Sequence, residues 1–167
     1  MTAKLISKVL EIKNCKKDDF LEKLYDAKLW EIISPVKSIE AKFSAPNVLY
    51  SRVEDEIINV GNVLRIPIEL EGDLVFIDKG IDGSKGNLIE FNVRNNKDVT
   101  KLEGNLRVKA LSQDKTKIGI FIHNFELSSD FMNLVGKSVA EITLRTKISE
   151  MLRNLENYCR KSSLKNL

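Results

Sequence analysis

The sequence predicts an α+β fold in which a curved antiparallel sheet of about seven strands wraps around a long C-terminal helix. Three observations support this prediction. Apolar residues recur every three or four positions near both ends of the chain, they alternate with polar residues across its middle, and turn residues separate the alternating segments. A chain of 167 residues with this pattern is expected to form one domain, spanning positions 1–167.

The first quarter of the chain predicts one strand followed by two short helices. Residues Leu5 to Ile12 form the candidate strand, with most of its apolar side chains on one side. Asp19 and Glu22 have the spacing of a capping box and predict the start of the first helix. The second helix is expected to end before Pro35, because the proline ring biases the preceding residue away from the helical conformation.

The middle of the chain predicts the sheet. Its apolar residues alternate with polar ones, as in strands that have one buried and one wet face. Gly72-Asp73 is expected to turn the chain between two strands, and Gly80, Gly83 and Gly86 are expected to form a hairpin loop rather than a phosphate-binding loop. The candidate strands are residues 36–43, 48–58, 63–71, 74–78, 88–94, 102–111 and 117–125.

The last strong pattern is an apolar stripe from Ser128 to Tyr158, which predicts one long helix. It begins with the good N-cap residues Ser128-Ser129-Asp130 and contains no proline. At a rise of ~1.5 Å per residue this helix would be about 45 Å long. Only an element of that size is large enough to cover the apolar face of the sheet, and a curved sheet around one helix often leaves space between the two.

The overall composition is that of an ordinary soluble globular protein, with 43% hydrophobic and 31% charged residues. The 27 basic and 24 acidic residues are too nearly balanced to indicate a nucleic-acid partner. No apolar run approaches the ~20 residues of a membrane helix, so no stable membrane insertion is expected. The cytoplasm is the expected location, and the composition leaves the oligomeric state open.

The cysteine and histidine content argues against a metal site, and no cofactor is expected. Cys15, Cys159 and the single His123 are too few to build a zinc site. The two cysteines are expected to be reduced, structural thiols, and the alternative is a disulfide that joins the two ends of the chain.

The sequence shows no set of catalytic residues. His123 lies, by alternation, on the face opposite Ile120 and Ile122, which predicts a surface or rim position. No serine and acid converge on it by spacing, so a triad is not indicated. The acidic run Glu54-Asp55-Glu56 is interpreted as a solvated strand edge.

One stretch of sequence resembles a known superfamily. Trp30 is followed by Pro35-Val36-Lys37-Ser38-Ile39-Glu40, after a short helix that contains Leu24-Tyr25-Asp26. With the order of elements, this resembles the helix-grip fold of the START-related lipid-transfer and polyketide cyclase/aromatase-like superfamily. The abundance of Lys and Ile is similar to that of an archaeal-type branch of this superfamily. The resemblance implies a cavity between the sheet and the C-terminal helix that holds an apolar ligand.

Alternation and helical spacing predict which residues would bind that ligand. Tyr50 and Arg52, if they point inward, would hold a carboxylate headgroup, and Thr146 would offer a hydroxyl group. The predicted apolar lining is Leu64, Ile66, Ile68, Phe76, Ile89, Phe91, Leu106, Val108, Ile120 and Ile122 from the sheet, and Phe131, Val135, Val139 and Ile142 from the helix.

The function predicted on this basis is binding or transport of a hydrophobic small molecule, such as a fatty acid or an isoprenoid-like lipid. Burial of about fourteen methylenes contributes roughly 11 kcal/mol at ~0.8 kcal/mol each. This contribution offsets an association cost of ~4–15 kcal/mol, so no special polar contact is needed. Two alternatives stay open: an aromatase/cyclase-like enzyme that uses the same cavity, and a protein-interaction module with a filled core.

Overall fold

The computed structural model describes residues 5–59 and 64–167, and the α+β helix-grip architecture predicted from the sequence is confirmed. Seven strands in this part of the chain form one curled antiparallel sheet in the order β1-β7-β6-β5-β4-β3-β2. The strands are β1 Ile6–Lys13, β2 Ser38–Ala45, β3 Val48–Asn59, β4 Leu64–Ile81, β5 Asn87–Arg94, β6 Val99–Ser112 and β7 Lys115–Leu127. The helices are α1 Lys17–Lys23, α2 Ala27–Ile33, α3 Ser129–Val135 and α4 Lys137–Lys161.

Strand β4 is continuous, so the turn predicted at Gly72-Asp73 is wrong. Gly72 pairs with Ser51 of β3, inside a strand of 18 residues. A Cβ atom at Gly72 would lie 2.9 Å from Cβ of Asn96. The glycine therefore permits a close approach between two segments and does not mark a turn. The predicted hairpin loop does form between β4 and β5 at Gly83 and Gly86, where Gly83–Lys85 adopt one 3₁₀ turn, but Gly80 lies within β4.

The capping box predicted at Asp19 is also wrong. Helix α1 begins at Lys17, and Asp19 lies within its first turn, where its charge favours the helix N-terminus. The capped helix is α2, in which a side-chain oxygen of Asp26 accepts a hydrogen bond from the backbone N–H of Lys28 at 3.0 Å. Helix α2 ends before Pro35, as expected.

The predicted long helix is divided into α3 and α4 at Gly136. Ser128 caps α3 as predicted, because its Oγ accepts a hydrogen bond from the N–H of Phe131 at 3.2 Å. Gly136 has φ 86° and ψ 144°, a conformation that no residue in a helix adopts. The apolar stripe of α4 therefore does not continue the stripe of α3.

We expect Gly136→Ala to lower the free energy of unfolding by about 1–3 kcal/mol, because alanine is strained at this backbone conformation. No heavy atom lies within 4 Å of a Cβ built at this position, so the loss would report backbone strain and not a clash. Urea unfolding measures the effect, with Ser138→Ala at an exposed position of α4 as the control. Equal stability of the Gly136→Ala variant and the parent protein would contradict this account of the break.

Cys15 and Cys159 are fully buried neighbours, and both carry free thiols. The structure therefore has no disulfide between these two residues. A hydrogen bond between the two thiols lowers the pKa of Cys15 and raises the pKa of Cys159. The side-chain amide of Asn14 donates to the backbone carbonyl of Cys159 at 2.6 Å. These contacts join the end of β1 to the end of α4.

Candidate functional site

A cavity of about 290 Å³ lies between the inner face of the sheet and helices α3 and α4. This volume is at the lower end of the range of about 300–1,000 Å³ typical of small-molecule pockets. The residues around it are mostly apolar and come from β3 to β7, α3, the first half of α4 and two connecting segments, the one before β2 and the one between β5 and β6. They are Val36, Ser51, Val53, Asp55, Ile57, Ile68, Leu70, Gly72, Asp73, Leu74, Val93, Asn96, Val99, Leu102, Phe125, Leu127, Phe131, Ala140, Thr143, Leu144 and Lys147.

Small residues on β3 and β4 leave room for the cavity. The alternation of β3 turns Ser51, Val53, Asp55 and Ile57 toward the helix. Ser51 pairs with Gly72 across the two strands. Asn96 lies against Gly72, so the short side chain of Ser51 is what leaves space beside this pair. The cavity is therefore a consequence of residue size at one place on an otherwise ordinary apolar sheet face.

Helix α4 closes the cavity with residues spaced by three and four positions. Ala140, Thr143, Leu144 and Lys147 face the sheet on one stripe. The Oγ1 atom of Thr143 donates to the backbone carbonyl of Val139 at 2.8 Å, so its hydroxyl hydrogen is already used within the helix. Ala140 has the smallest side chain of the four and leaves the most space.

An ion pair crosses the wall of the cavity. The Nζ atom of Lys147 lies 2.7 Å from Oδ2 of Asp55, whose side chain is only 12% exposed. The same nitrogen donates to the backbone carbonyl of Pro35 at 2.6 Å. Lys147 therefore joins α4 to β3 and to the segment that follows α2.

Two of the predicted lining residues, Ile68 and Phe131, do line the cavity. Most of the others pack against one another, because the space next to them is filled. Ile66 and Val139 are partly buried against this packed core. The side chain of Leu64 lies outside the described residues. The residues buried within the core are Phe76, Ile89, Phe91, Leu106, Val108, Ile120, Ile122 and Val135.

Tyr50 and Arg52 point away from the cavity, which corrects the expectation that they face inward. Tyr50 Oη donates to Glu71 Oε2 at 2.5 Å, and this bond raises the pKa of the tyrosine. Arg52 Nε donates to Glu69 Oε1 at 2.6 Å. Both pairs lie on the outer face because residues 50 and 52 alternate with Ser51, which faces the helix.

Ile142 and Thr146 also lie outside the cavity, on the exposed side of α4. The side chain of Ile142 is 60% exposed, and Thr146 is exposed. The prediction counted the helical spacing from Phe131 through a continuous helix. Because Gly136 interrupts that helix, the inward stripe of α4 starts at Ala140, one position later than Val139.

Asp55 is the functional candidate that the sequence reasoning missed. The run Glu54-Asp55-Glu56 was expected at a strand edge, but β3 is paired with both β2 and β4, and its two glutamates lie on the outer face of the sheet. Glu54 Oε2 accepts from Ser38 at 3.4 Å, and Glu56 forms an ion pair with Lys37. The alternation of Val53, Asp55 and Ile57 was the available signal, because an acid between two inward apolar residues must itself face inward.

His123 lies on the outer face, as the alternation predicted. Its Nε2 is 2.9 Å from the side-chain nitrogen of Asn105. The two residues border an open groove of about 1030 Å³ on the side of the sheet away from α4, with charged and amide groups along most of its wall. In the described part of the chain, no group of three or more His, Cys, Asp or Glu side chains could hold a metal ion.

Comparisons with known proteins identify solved structures of the same fold. No protein-family model matches the sequence, and no curated protein matches it. None of the helices within the described residues has the length and apolar character needed to cross a membrane.

The similar solved structures cover nearly the whole chain at low sequence identity. A START superfamily protein from Mycobacterium smegmatis has a TM-score of 0.56 and 17% identity, over 93% of this chain and 97% of its own. A STAR-related lipid transfer protein from Xanthomonas axonopodis has a TM-score of 0.61 and 13% identity, over 96% and 90%. The Zhui aromatase/cyclase from Streptomyces has a TM-score of 0.56 and 14% identity, over 92% and 89%. The organisms give no support to an archaeal-type branch, and the likeness establishes that this chain has the helix-grip fold of START superfamily structures.

Proposed function

We propose that the protein binds or carries a hydrophobic small molecule, a fatty acid or another lipid, in the cavity between the sheet and helices α3 and α4. The observation that carries the proposal is a space of about 290 Å³ with mostly apolar walls between the sheet and helices α3 and α4. The likeness to a STAR-related lipid transfer protein supports it. In this proposal the whole chain acts as one cytoplasmic domain, and Ile68 and Phe131 contact the ligand.

The size of the cavity restricts the ligand to a single chain. At about 30 Å³ for each water-sized group, the cavity holds roughly ten such groups. Ten buried methylenes contribute about 8 kcal/mol. An association cost of ~4–15 kcal/mol offsets much of this, so moderate affinity is expected. A lipid with two long tails would not fit without extending beyond the cavity.

A series of straight-chain lipids tests the proposal. The purified protein is stripped of bound lipid and titrated with ligands of increasing chain length, by native mass spectrometry and by calorimetry. Affinity is expected to rise with each methylene until the chain has about ten carbons, and then to level off as the cavity is filled. Failure to take up any chain, of any length, would refute the proposal.

A cyclase-like enzyme is the second candidate function. The observation that favours it is the Lys147 and Asp55 pair, because an acid and a base side by side at a cavity wall are able to move protons. The likeness to an aromatase/cyclase adds support. In an enzyme, Lys147→Met would abolish turnover of a polyketide-like substrate while ligand uptake persists. A protein-interaction module with a filled core is disfavoured by the cavity itself.

A further inference from the structure

The charged side chains that face the cavity neutralise each other. Lys147 is the one Lys or Arg among the cavity residues of the described chain, and its ammonium group is bonded to Asp55 and to the carbonyl of Pro35. Asp73 borders the cavity next to Gly72, but its carboxylate accepts a hydrogen bond from Asn95 at 2.7 Å. The residues before and after it in β4, Gly72 and Leu74, face inward. The side chain of Asp73 is therefore on the outer face, like that of its cross-strand partner Tyr50.

The nearest other cations of β3 and β4 are also engaged elsewhere. Arg52 pairs with Glu69, and Arg65 lies 3.6 Å from Glu56, both on the outer face of the sheet. An anion placed in the cavity would therefore meet no unpaired cation among the described lining residues. It would have to compete with Asp55 for Lys147. If the anion bound to Lys147, the largely buried carboxylate of Asp55 would lose its partner.

We propose that the cavity selects a single-chain lipid with an uncharged hydroxyl headgroup over the corresponding carboxylate. This inference rests on the function proposed above. A buried carboxylate without a partner is costly, whereas a hydroxyl needs only hydrogen bonds. The ammonium group of Lys147 has three hydrogens and uses two of them, on Asp55 and Pro35. A ligand hydroxyl accepts the third hydrogen and donates its own to the carboxylate of Asp55, so the ion pair stays intact.

A matched pair of ligands tests the selection. Dodecanol and dodecanoate have chains of equal length and differ in their headgroups, so calorimetry at neutral pH isolates the headgroup effect. Dodecanol is expected to bind at least about tenfold more tightly than dodecanoate to the unmodified protein.

Removal of the internal counter-charge should cancel the preference. In Asp55→Asn the cation of Lys147 is left unpaired, and dodecanoate is expected to bind about tenfold more tightly than to the parent protein. Glu54→Gln is the matched control. It removes the same charge from the adjacent residue of the same strand, on the outer face, and should leave the affinities for both ligands unchanged.

The outcomes separate this inference from the proposed function. If neither ligand binds, the proposed function fails. If dodecanoate binds as tightly as dodecanol, or if folded Asp55→Asn gains no affinity for dodecanoate, the inference is overturned and the proposed function stands. If circular dichroism shows that Asp55→Asn is unfolded, Lys147→Gln replaces it. That variant is expected to bind dodecanol about tenfold more weakly, because it loses the ammonium hydrogen that the ligand hydroxyl accepts, and undiminished dodecanol affinity would overturn the inference.

Discussion

Ala140→Phe is expected to lower the affinity for dodecanol by more than about a hundredfold. Ala140 is 5% exposed and forms part of the α4 wall of the cavity. A phenyl ring at this position would occupy the space of about six ligand carbons. At ~0.8 kcal/mol for each displaced methylene, the loss is about 5 kcal/mol, which exceeds two powers of ten in the dissociation constant. Calorimetric titration measures this change.

Ser138→Phe is the matched control, because residue 138 is exposed and lies in the same turn of α4. This variant should bind dodecanol as the parent protein does. Thermal unfolding checks that Ala140→Phe is folded, and a ring that fills an existing space should not lower its Tm by much. Undiminished dodecanol affinity in a folded Ala140→Phe protein would show that the ligand binds somewhere else.

Phe76→Ala is expected to lower the free energy of unfolding by about 3–5 kcal/mol. The ring of Phe76 is 1% exposed and lies at the centre of an aromatic cluster. It stacks on Trp30 with 5.6 Å between ring centroids, and it meets Tyr25 edge-on at 5.9 Å. Its removal would leave a void among the remaining rings. Urea unfolding followed by circular dichroism measures the change.

Ile77→Ala provides the comparison for this stability change. Ile77 is the next residue of β4, and its side chain is 41% exposed on the opposite face. Its truncation should change stability by less than about 0.5 kcal/mol. Similar losses for Phe76→Ala and Ile77→Ala would mean that the aromatic cluster is not a main source of stability.

The sheet was predictable because alternation is a local property of each strand. The inward and outward faces of β5, β6 and β7 follow from residues two positions apart, and the antiparallel order follows from short connections. The pattern of β3 is less regular, and the face expected for Tyr50 and Arg52 was wrong. Which residues of α4 face the sheet could not be predicted by continuing the helical spacing of α3. A single residue, Gly136, breaks the helix, and glycine at that position of the sequence does not itself specify a break.

The position of the cavity could not be predicted from alternation. Alternation indicates which side chains face inward, but it does not indicate which side chains from other segments pack against them. Tyr25 and Trp30, from the helical segment after β1, pack with Phe43 and Phe76 and fill one part of the interior. The space remains at the other part, where Ser51 opposes Gly72. Such a difference depends on pairings between distant segments of the chain.

The shortness of α3 has a consequence for how a molecule reaches the interior. Seven residues are too few for a helix to be stable by itself in water, where about 12–15 residues are already marginal. Helix α3 therefore persists only while Phe131 and Val135 remain docked, and Gly136 separates it mechanically from the 25 residues of α4. Transient melting of this one segment would uncover the wall formed by Phe131 and leave the rest of the molecule folded.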